Sequence, residues 1–172
     1  MSIIWAHKVS AEFIRRLLKI CSSLRIDPDF LMACIAFETG ETFSASVRNK
    51  RSGATGLIQF MPQTAAALGT SVEELALMTE EDQLDYVSKY FLPWKGKLLT
   101  LEDTYMAILY PLAIGKANGY ILFAKNDTKH PKRYVQNAGL DYNKDGYITK
   151  AEAAAKVRAK YDKGKSLKLT TA

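Results

Sequence analysis

The stretch FLMACIAFETG at residues 30–40 is apolar at its first eight positions and then turns polar. Asp27 and Pro28 supply an N-cap and a first helical residue before it, and Gly40 supplies a stop after it. A helix without a polar face has to be covered by other elements, so the sequence predicts a buried central helix. Because 172 residues favour one domain, we expect a single globular unit around this helix.

Helical spacing and N-cap residues predict helices in most of the remaining chain, so the expected fold class is mainly α. Residues 41–59 follow neither a helical nor a strand pattern and are predicted to form a loop region with a short hairpin. The predicted N-caps are Ser10, Asp27, Ser71 and Thr79. The other predicted helices span residues 10–24, 62–69, 80–94, 101–109, 131–139 and 151–161, and one more begins after Ser71.

The stretch DYNKDGYITKAE at residues 141–152 fills every position of a twelve-residue EF-hand calcium loop, with Gly146 at the position of the sharp turn. The predicted Ca²⁺ ligands are Asp141, Asn143, Asp145, the carbonyl oxygen of Tyr147, and Glu152. Three carboxylates favour Ca²⁺ over Mg²⁺, and an unpaired loop is typical of a structural clip rather than a sensor. The alternative is a polar turn that binds no metal.

A C-terminal helix–calcium loop–helix unit is therefore predicted over residues 126–172. We expect it to pack on a body formed by residues 1–125 as one globular, monomeric unit.

The net charge of +6 is concentrated in the tail at residues 156–168. Such a tail suits an anionic cell-envelope surface, and the alternative is a solvated helix face with a frayed end. No nucleic-acid motif accompanies it, so nucleic acid is not an expected partner. Cys21 and Cys34 lie in apolar helical stretches and are predicted to be buried free thiols.

The first residues, MSIIWAHK, lack a basic start followed by a long apolar region, and no apolar stretch is long enough to span a bilayer. We therefore expect synthesis in the cytoplasm without a signal peptide.

Glu38 is the strongest candidate for a catalytic residue. It ends the apolar helix, where desolvation and the negative end of the helix dipole both raise the pKa of a carboxyl. A carboxyl that keeps its proton near neutral pH can protonate the leaving oxygen of a glycosidic bond. From position alone, the alternative is a surface glutamate that points to water.

The tripeptide Glu38-Thr39-Gly40 is followed by SGATGLIQFMPQTA at residues 52–65. Together these motifs resemble the lytic transglycosylases with the goose-type lysozyme fold, over about residues 10–120. The resemblance implies a lysozyme-like helical domain, peptidoglycan glycan strands as the substrate, Glu38 as the catalytic acid and no organic cofactor.

The resemblance also implies a groove in which Gln59 and Tyr110 face the same cleft as Glu38. Gln59 matches a residue whose amide meets a sugar, and Ser52 matches one that steadies the glutamate or the glycan. The alternative for Gln59 is an amide that pins the loop to its own backbone. The implied groove residues are Ser52, Gly56, Leu57, Gln59, Phe60 and Tyr110.

One motif departs from the family, since MAILYPLAIGK at residues 106–116 stands where Ala-Tyr-Asn-Ala-Gly is usual. This form, and the calcium-type loop after it, resemble phage-encoded members. They imply a lysin that a holin releases, or a virion carries, to the periplasm and cell wall.

The implied reaction is cleavage between MurNAc and GlcNAc with closure of a 1,6-anhydro ring on MurNAc. A hydrolytic muramidase normally needs a second carboxylate. No other acid stands out as one: Glu41 follows the helix end, Asp82 and Asp85 lie on a charged surface helix, and Asp103 is expected to be a capping acid near a helix start. Transglycosylation therefore leads, and muramidase activity is the alternative. A non-enzymatic wall-binding or virion protein and a calcium-responsive interaction module are the alternatives from other classes.

Overall fold

A computed structural model describes the backbone of residues 3–170 and is mainly helical, as the sequence predicts. The helices are α1 Ala11–Leu24, α2 Pro28–Glu38, α3 Pro62–Ala67, α4 Val72–Leu77, α5 Glu80–Phe91, α6 Leu101–Leu109, α7 Pro131–Asn137 and α8 Lys150–Thr170. Short 3₁₀ turns span Ala6–Lys8, Leu92–Trp94, Pro111–Ala113 and Ala138–Leu140. Two strands, β1 Ile121–Ala124 and β2 Tyr147–Thr149, pair antiparallel.

The central position predicted for α2 is confirmed, because every side chain from 31 to 36 is buried. α8 lies across α2, and α6 and α1 cover further sides. At the start of α2, the Asp29 carboxylate accepts from the backbone N–H of Ile4 at 2.9 Å and from Lys165 Nζ at 2.6 Å. Asp29 therefore fixes both the N-terminal segment and the end of α8 to the central helix.

The four N-caps predicted from sequence are confirmed. The side chains of Ser10, Asp27, Ser71 and Thr79 each accept a hydrogen bond from an N–H two or three residues further on. Capping is a local interaction, which is why the residue types alone reveal where these helices begin.

Four predicted helix ends differ from the structure. α5 ends at Phe91 instead of near residue 94 and α7 ends at Asn137 instead of residue 139, and each is followed by a 3₁₀ turn. The helix that begins at Pro62 ends at Ala67, and α8 continues to Thr170 instead of ending near residue 161. α8 continues because its basic side chains bind acidic groups of the body: Arg158 pairs with Glu102, and Lys160 and Lys163 pair with Glu41.

The loop region at residues 41–59 holds an irregular hairpin. Its ordered pairing consists of isolated bridges from Arg48 to Thr55 and from Thr55 to Phe60. The prediction of a loop with a short hairpin is therefore confirmed.

A buried ion pair joins the 141–152 loop to the body. Lys150, 2% exposed, donates from Nζ to Asp103 Oδ1 at 2.6 Å and to the carbonyl of Lys116 at 2.8 Å. Asp103 also accepts from the N–H of Gly115 at 2.8 Å. Asp103 was expected to be a capping acid of α6, but its carboxylate turns inward, and the cap is the Thr100 hydroxyl.

Both cysteines are free and buried, as predicted. Within residues 3–170, no helix combines the length and the apolar character that crossing a membrane requires.

We predict that Lys150→Met lowers the free energy of unfolding by about 3–5 kcal/mol, because it leaves the Asp103 carboxylate buried without its cation. Urea unfolding measures this change. Adding Asp103→Leu should recover part of the loss, since the unpaired charge is removed.

The matched control is Arg48→Met, which breaks the exposed pair between Arg48 and Glu73. Its effect should stay within about 1 kcal/mol. Equal losses in Lys150→Met and Arg48→Met would show that the buried pair has no special role.

Candidate active site and calcium loop

Glu38 is the last residue of α2, and its side chain is half-buried. Burial alone raises the pKa of its carboxyl to about 7. Among the described residues, no hydrogen bond or ion pair reaches the Glu38 carboxylate. An acid in this setting is partly protonated at neutral pH and free to donate its proton to a ligand.

Two tyrosines lie close enough to Glu38 for its charge to raise their pKa. Burial first, and then the charge of Glu38, raise the pKa of Tyr90 to about 12 and raise the pKa of Tyr105 as well. The Tyr90 hydroxyl donates to the carbonyl of Ala107 at 2.6 Å. The Tyr105 ring packs edge-on against Phe37 at 5.6 Å, and no described residue hydrogen-bonds to its hydroxyl. Tyr105 is therefore a candidate donor to a ligand beside Glu38.

Three of the other carboxylates considered from sequence are engaged elsewhere. Glu41, three residues after Glu38, pairs with Lys160 and Lys163, and these hydrogen bonds lower the pKa of its carboxyl. Asp82 pairs with Arg16 at 3.1 Å, and Asp103 pairs with Lys150. Asp85 is exposed on α5. No carboxylate contributes to the pKa shift of Glu38.

A buried glutamine that sequence reasoning missed fixes the loop that carries the second motif. Gln83 donates from Nε2 to the carbonyls of Ala45 and Leu75, and its Oε1 accepts from the N–H of Leu57 at 2.7 Å. The sequence does offer one indication of its burial: Gln83 lies four residues before Val87, on the apolar face of α5.

Gly56 makes this arrangement possible. Its φ is +86°, and a Cβ there would lie 2.3 Å from Gln83 Oε1. The backbone of Gly56 donates to the carbonyl of Val47. Leu57 has a fully buried side chain, and its N–H is taken by Gln83. The two residues therefore form a fixed backbone element, and their role as the floor of a groove stays a prediction.

The Gln59 amide is bound to its own loop. Its Nε2 donates to the carbonyls of Val47 and Gly56, at 3.1 and 3.0 Å. This is the alternative considered from the sequence, and it leaves only Oε1 for a sugar. Phe60 is buried and packs edge-on against Tyr90, with the ring centroids 6.2 Å apart. It therefore connects the loop to a tyrosine whose pKa the charge of Glu38 raises.

Ser52 and Tyr110 make no contact with Glu38 among the interactions of the described residues. Ser52 is exposed in the turn of the hairpin, where its hydroxyl accepts from the N–H of Ala54 at 3.2 Å. Tyr110 follows the last residue of α6, and its ring packs edge-on against Phe123 at 5.4 Å. Their groove roles stay predictions.

The 141–152 loop has the tight turn that its sequence predicts. Asp141 is buried and accepts from the N–H groups of Asp145 and Gly146 and from the Tyr134 hydroxyl at 2.5 Å. These bonds, that of Tyr134 first, hold the pKa of Asp141 below its usual range. The Asp145 carboxylate accepts from Asn143 Nδ2 and from the N–H of Tyr147.

Glu152 lies in the first turn of α8, and its Oε2 accepts from the N–H and hydroxyl of Thr149. Within residues 3–170, no group of three or more His, Cys, Asp and Glu side chains is gathered closely enough to hold a metal. The ionised Asp141 and the oxygen-rich donor set nevertheless suit a hard cation. Calcium binding therefore stays a prediction.

Comparison with models of known protein families finds no match to this chain. A search of curated proteins likewise finds no significant match.

The raised pKa of Glu38 predicts a pH-dependent effect on stability. Between pH 4.5, its ordinary pKa, and about 7, the folded protein holds a proton that the unfolded chain has released. The Glu38 contribution to stability is therefore complete below pH 4.5 and is lost as the pH rises through 7. Glu38→Gln should match wild type near pH 4 and exceed its free energy of unfolding at pH 8. The excess can reach about 3 kcal/mol, at about 1.4 kcal/mol per pKa unit.

Urea unfolding at pH 4, 6 and 8 measures this difference. Glu41→Gln is the matched control with the opposite sign, since the pKa of Glu41 is lowered by its two lysines. It should be less stable than wild type at pH 8, and the difference should shrink in acid. A Glu38→Gln effect that does not change with pH would contradict the raised pKa.

Proposed function

We propose that this protein is a peptidoglycan lytic transglycosylase in which Glu38 is the catalytic acid and base. The observation that carries the proposal is a carboxyl at the end of a buried helix, with a pKa raised to about 7 by burial and no partner among the described residues. The resemblance of the Glu38 and 52–65 motifs to lytic transglycosylases supplies the substrate class.

The proposed reaction needs one carboxyl group. Protonated Glu38 gives its proton to the oxygen that joins C1 of MurNAc to GlcNAc, and the C1–O bond breaks. The Glu38 carboxylate then takes the proton of the C6 hydroxyl on the same MurNAc, and O6 bonds to C1. The products are a free GlcNAc end and 1,6-anhydroMurNAc, and Glu38 regains its proton.

The ion pairs of Glu41, the acid that follows Glu38 by three residues, support this route over hydrolysis. A hydrolytic inverting or retaining enzyme places a second carboxylate across the sugar. Glu41 is held by Lys160 and Lys163 and has a lowered pKa.

The proposal extends to the calcium loop and to the site of action. Asp141, Asn143, Asp145, the Tyr147 carbonyl and Glu152 would hold Ca²⁺, which would stabilise the fold rather than take part in the chemistry. The enzyme would act on the bacterial cell wall as a phage lysin.

We predict that digestion of purified peptidoglycan yields fragments that end in 1,6-anhydroMurNAc, identified by mass spectrometry. Glu38→Gln should lose at least a hundredfold in rate, because general acid catalysis contributes roughly 10²–10⁴. Reducing-end MurNAc as the main product would replace the proposal with muramidase activity.

The matched control is Glu41→Gln, which also removes one carboxylate and lies three residues after Glu38. Assayed below its unfolding temperature, it should stay within about tenfold of wild type, since general acid catalysis would be intact. Absence of any glycan cleavage by the folded wild-type protein would favour a non-enzymatic wall-binding or virion protein.

We also predict that Ca²⁺ raises the melting temperature and that a chelator lowers it. Binding to the folded form stabilises by about 2.7 kcal/mol when calcium is 100-fold above Kd. Glu152→Ala should lose the response because its bidentate ligand is gone, and Asp162→Asn, on the exposed part of α8, should keep it.

Isothermal titration and thermal unfolding measure the two effects. A titration without heat and without a shift in melting temperature would contradict calcium binding. A large change in turnover without a change in stability would make the site regulatory.

A further inference from the structure

A cationic segment of this protein lies outside the basic tail. In α8, Arg158, Lys160, Lys163 and Lys165 all bind acidic groups of the body. Residues 111–140, in contrast, contain five Lys or Arg and one Asp, a net charge of +4 out of the chain's +6.

The five cations of this segment reach solvent without forming an ion pair to any described residue, and the charge of Arg133 acts on Asp127 only at longer range. All are exposed, and within residues 3–170 none lies within ion-pair distance of an Asp or Glu. The one acid, Asp127, accepts from the backbone N–H groups of Lys129 and His130. The cations are Lys116, Lys125, Lys129, Lys132 and Arg133.

Large apolar side chains are exposed in the same segment. Leu112 is 71% and Val135 73% exposed, and Tyr120 and Ile121 are also exposed. The ring of Tyr110, which precedes the 3₁₀ turn that carries Leu112, packs against Phe123 of β1, and α7, which carries Val135, packs on β1. We call the exposed side chains of residues 112–135 the basic–apolar surface.

This surface is held in place by the body. Lys150 donates to the carbonyls of Lys116 and Tyr120, Ala151 donates to the carbonyl of Asn118, and Gly115 donates to Asp103. These bonds fix residues 115–120, and α7 packs on both strands, so binding to this surface would cost little in backbone ordering.

We propose that the basic–apolar surface docks onto a membrane that contains anionic phospholipids. Exposed leucine, valine and isoleucine side chains enter the boundary between headgroups and acyl chains, while lysines beside them bind the phosphates. A polyanion without an apolar layer would use the cations but would leave the apolar side chains in water. The proposal is independent of the catalytic role of Glu38.

The test is sedimentation of the intact protein with large unilamellar vesicles. Vesicles of phosphatidylglycerol and phosphatidylethanolamine should bind it, and phosphatidylcholine vesicles should bind it much more weakly. Binding should weaken as salt increases, because exposed charges are screened. Equal binding to both vesicle types would overturn the proposal.

Two variants with matched controls locate the contact. The triple variant Lys116→Gln, Lys129→Gln and Lys132→Gln should lose about a hundredfold in affinity, at roughly fivefold for each lysine. Its control changes Lys8, Lys19 and Lys97, all exposed, to Gln, and it should bind like wild type. Equal losses in both triples would indicate attraction by net charge alone and would overturn the proposal.

The apolar part is tested with Leu112→Ser and Val135→Ser together, against Leu77→Ser and Leu99→Ser, whose side chains are 88% and 74% exposed. Only the first pair should weaken vesicle binding. Circular dichroism confirms that each variant is folded. Duplex DNA that binds as tightly as the anionic vesicles, with the same loss in the lysine triple and none in the leucine–valine pair, would identify a general polyanion site instead.

Discussion

The burial of α2 is the constraint on which the rest of the structure depends. The side chains of residues 31–36 are excluded from solvent because α1, α6 and α8 pack around them. One of these covering helices, α8, is strongly basic. The same burial produces the candidate site. Glu38 ends this helix, so the apolar surroundings that stabilise the core also remove water from its carboxyl and raise its pKa. Fold and acidity therefore have one physical origin.

A few buried polar side chains hold the outer segments on this core. Gln83 satisfies both ends of its amide and joins the loop at residues 45–57 to α4 and α5. The pair of Asp103 with Lys150 joins the calcium-type loop to α6, and Asp29 joins Ile4 and Lys165 of α8 to the start of α2. Burying each of these polar groups costs desolvation free energy, which is offset only when all of its hydrogen-bond or ion-pair partners are present. They therefore select one arrangement of segments that hydrophobic burial alone would leave loosely defined.

The distribution of charge follows from the same packing. The cations of α8 neutralise acids at both ends of α2, which allows a basic helix to lie on the core. Residues 111–140, in contrast, carry a net charge of +4 without an ion pair to the described part of the chain, in a segment that also exposes large apolar side chains. A charge count along the chain points to the tail, whereas in the folded molecule, as described over residues 3–170, four cations of the tail form ion pairs and the five cations of residues 111–140 form none.

The sequence by itself determined the local features of this protein. The apolar run of α2, the caps at Ser10, Asp27, Ser71 and Thr79, and the turn at residues 141–146 depend on neighbours within a few positions, and each appears in the structure as predicted. The desolvation of Glu38 was also foreseeable, because it ends an apolar helix. Only the tertiary structure decided which distant groups meet. Asp103 binds Lys150 instead of capping its helix, and Gln59 binds its own loop. Gln83 fixes the loop at Leu57, and Tyr105 lies within range of the charge of Glu38. Most of these contacts join residues that are far apart in the chain. Spacing patterns depend on near neighbours and therefore do not predict which distant residues will meet.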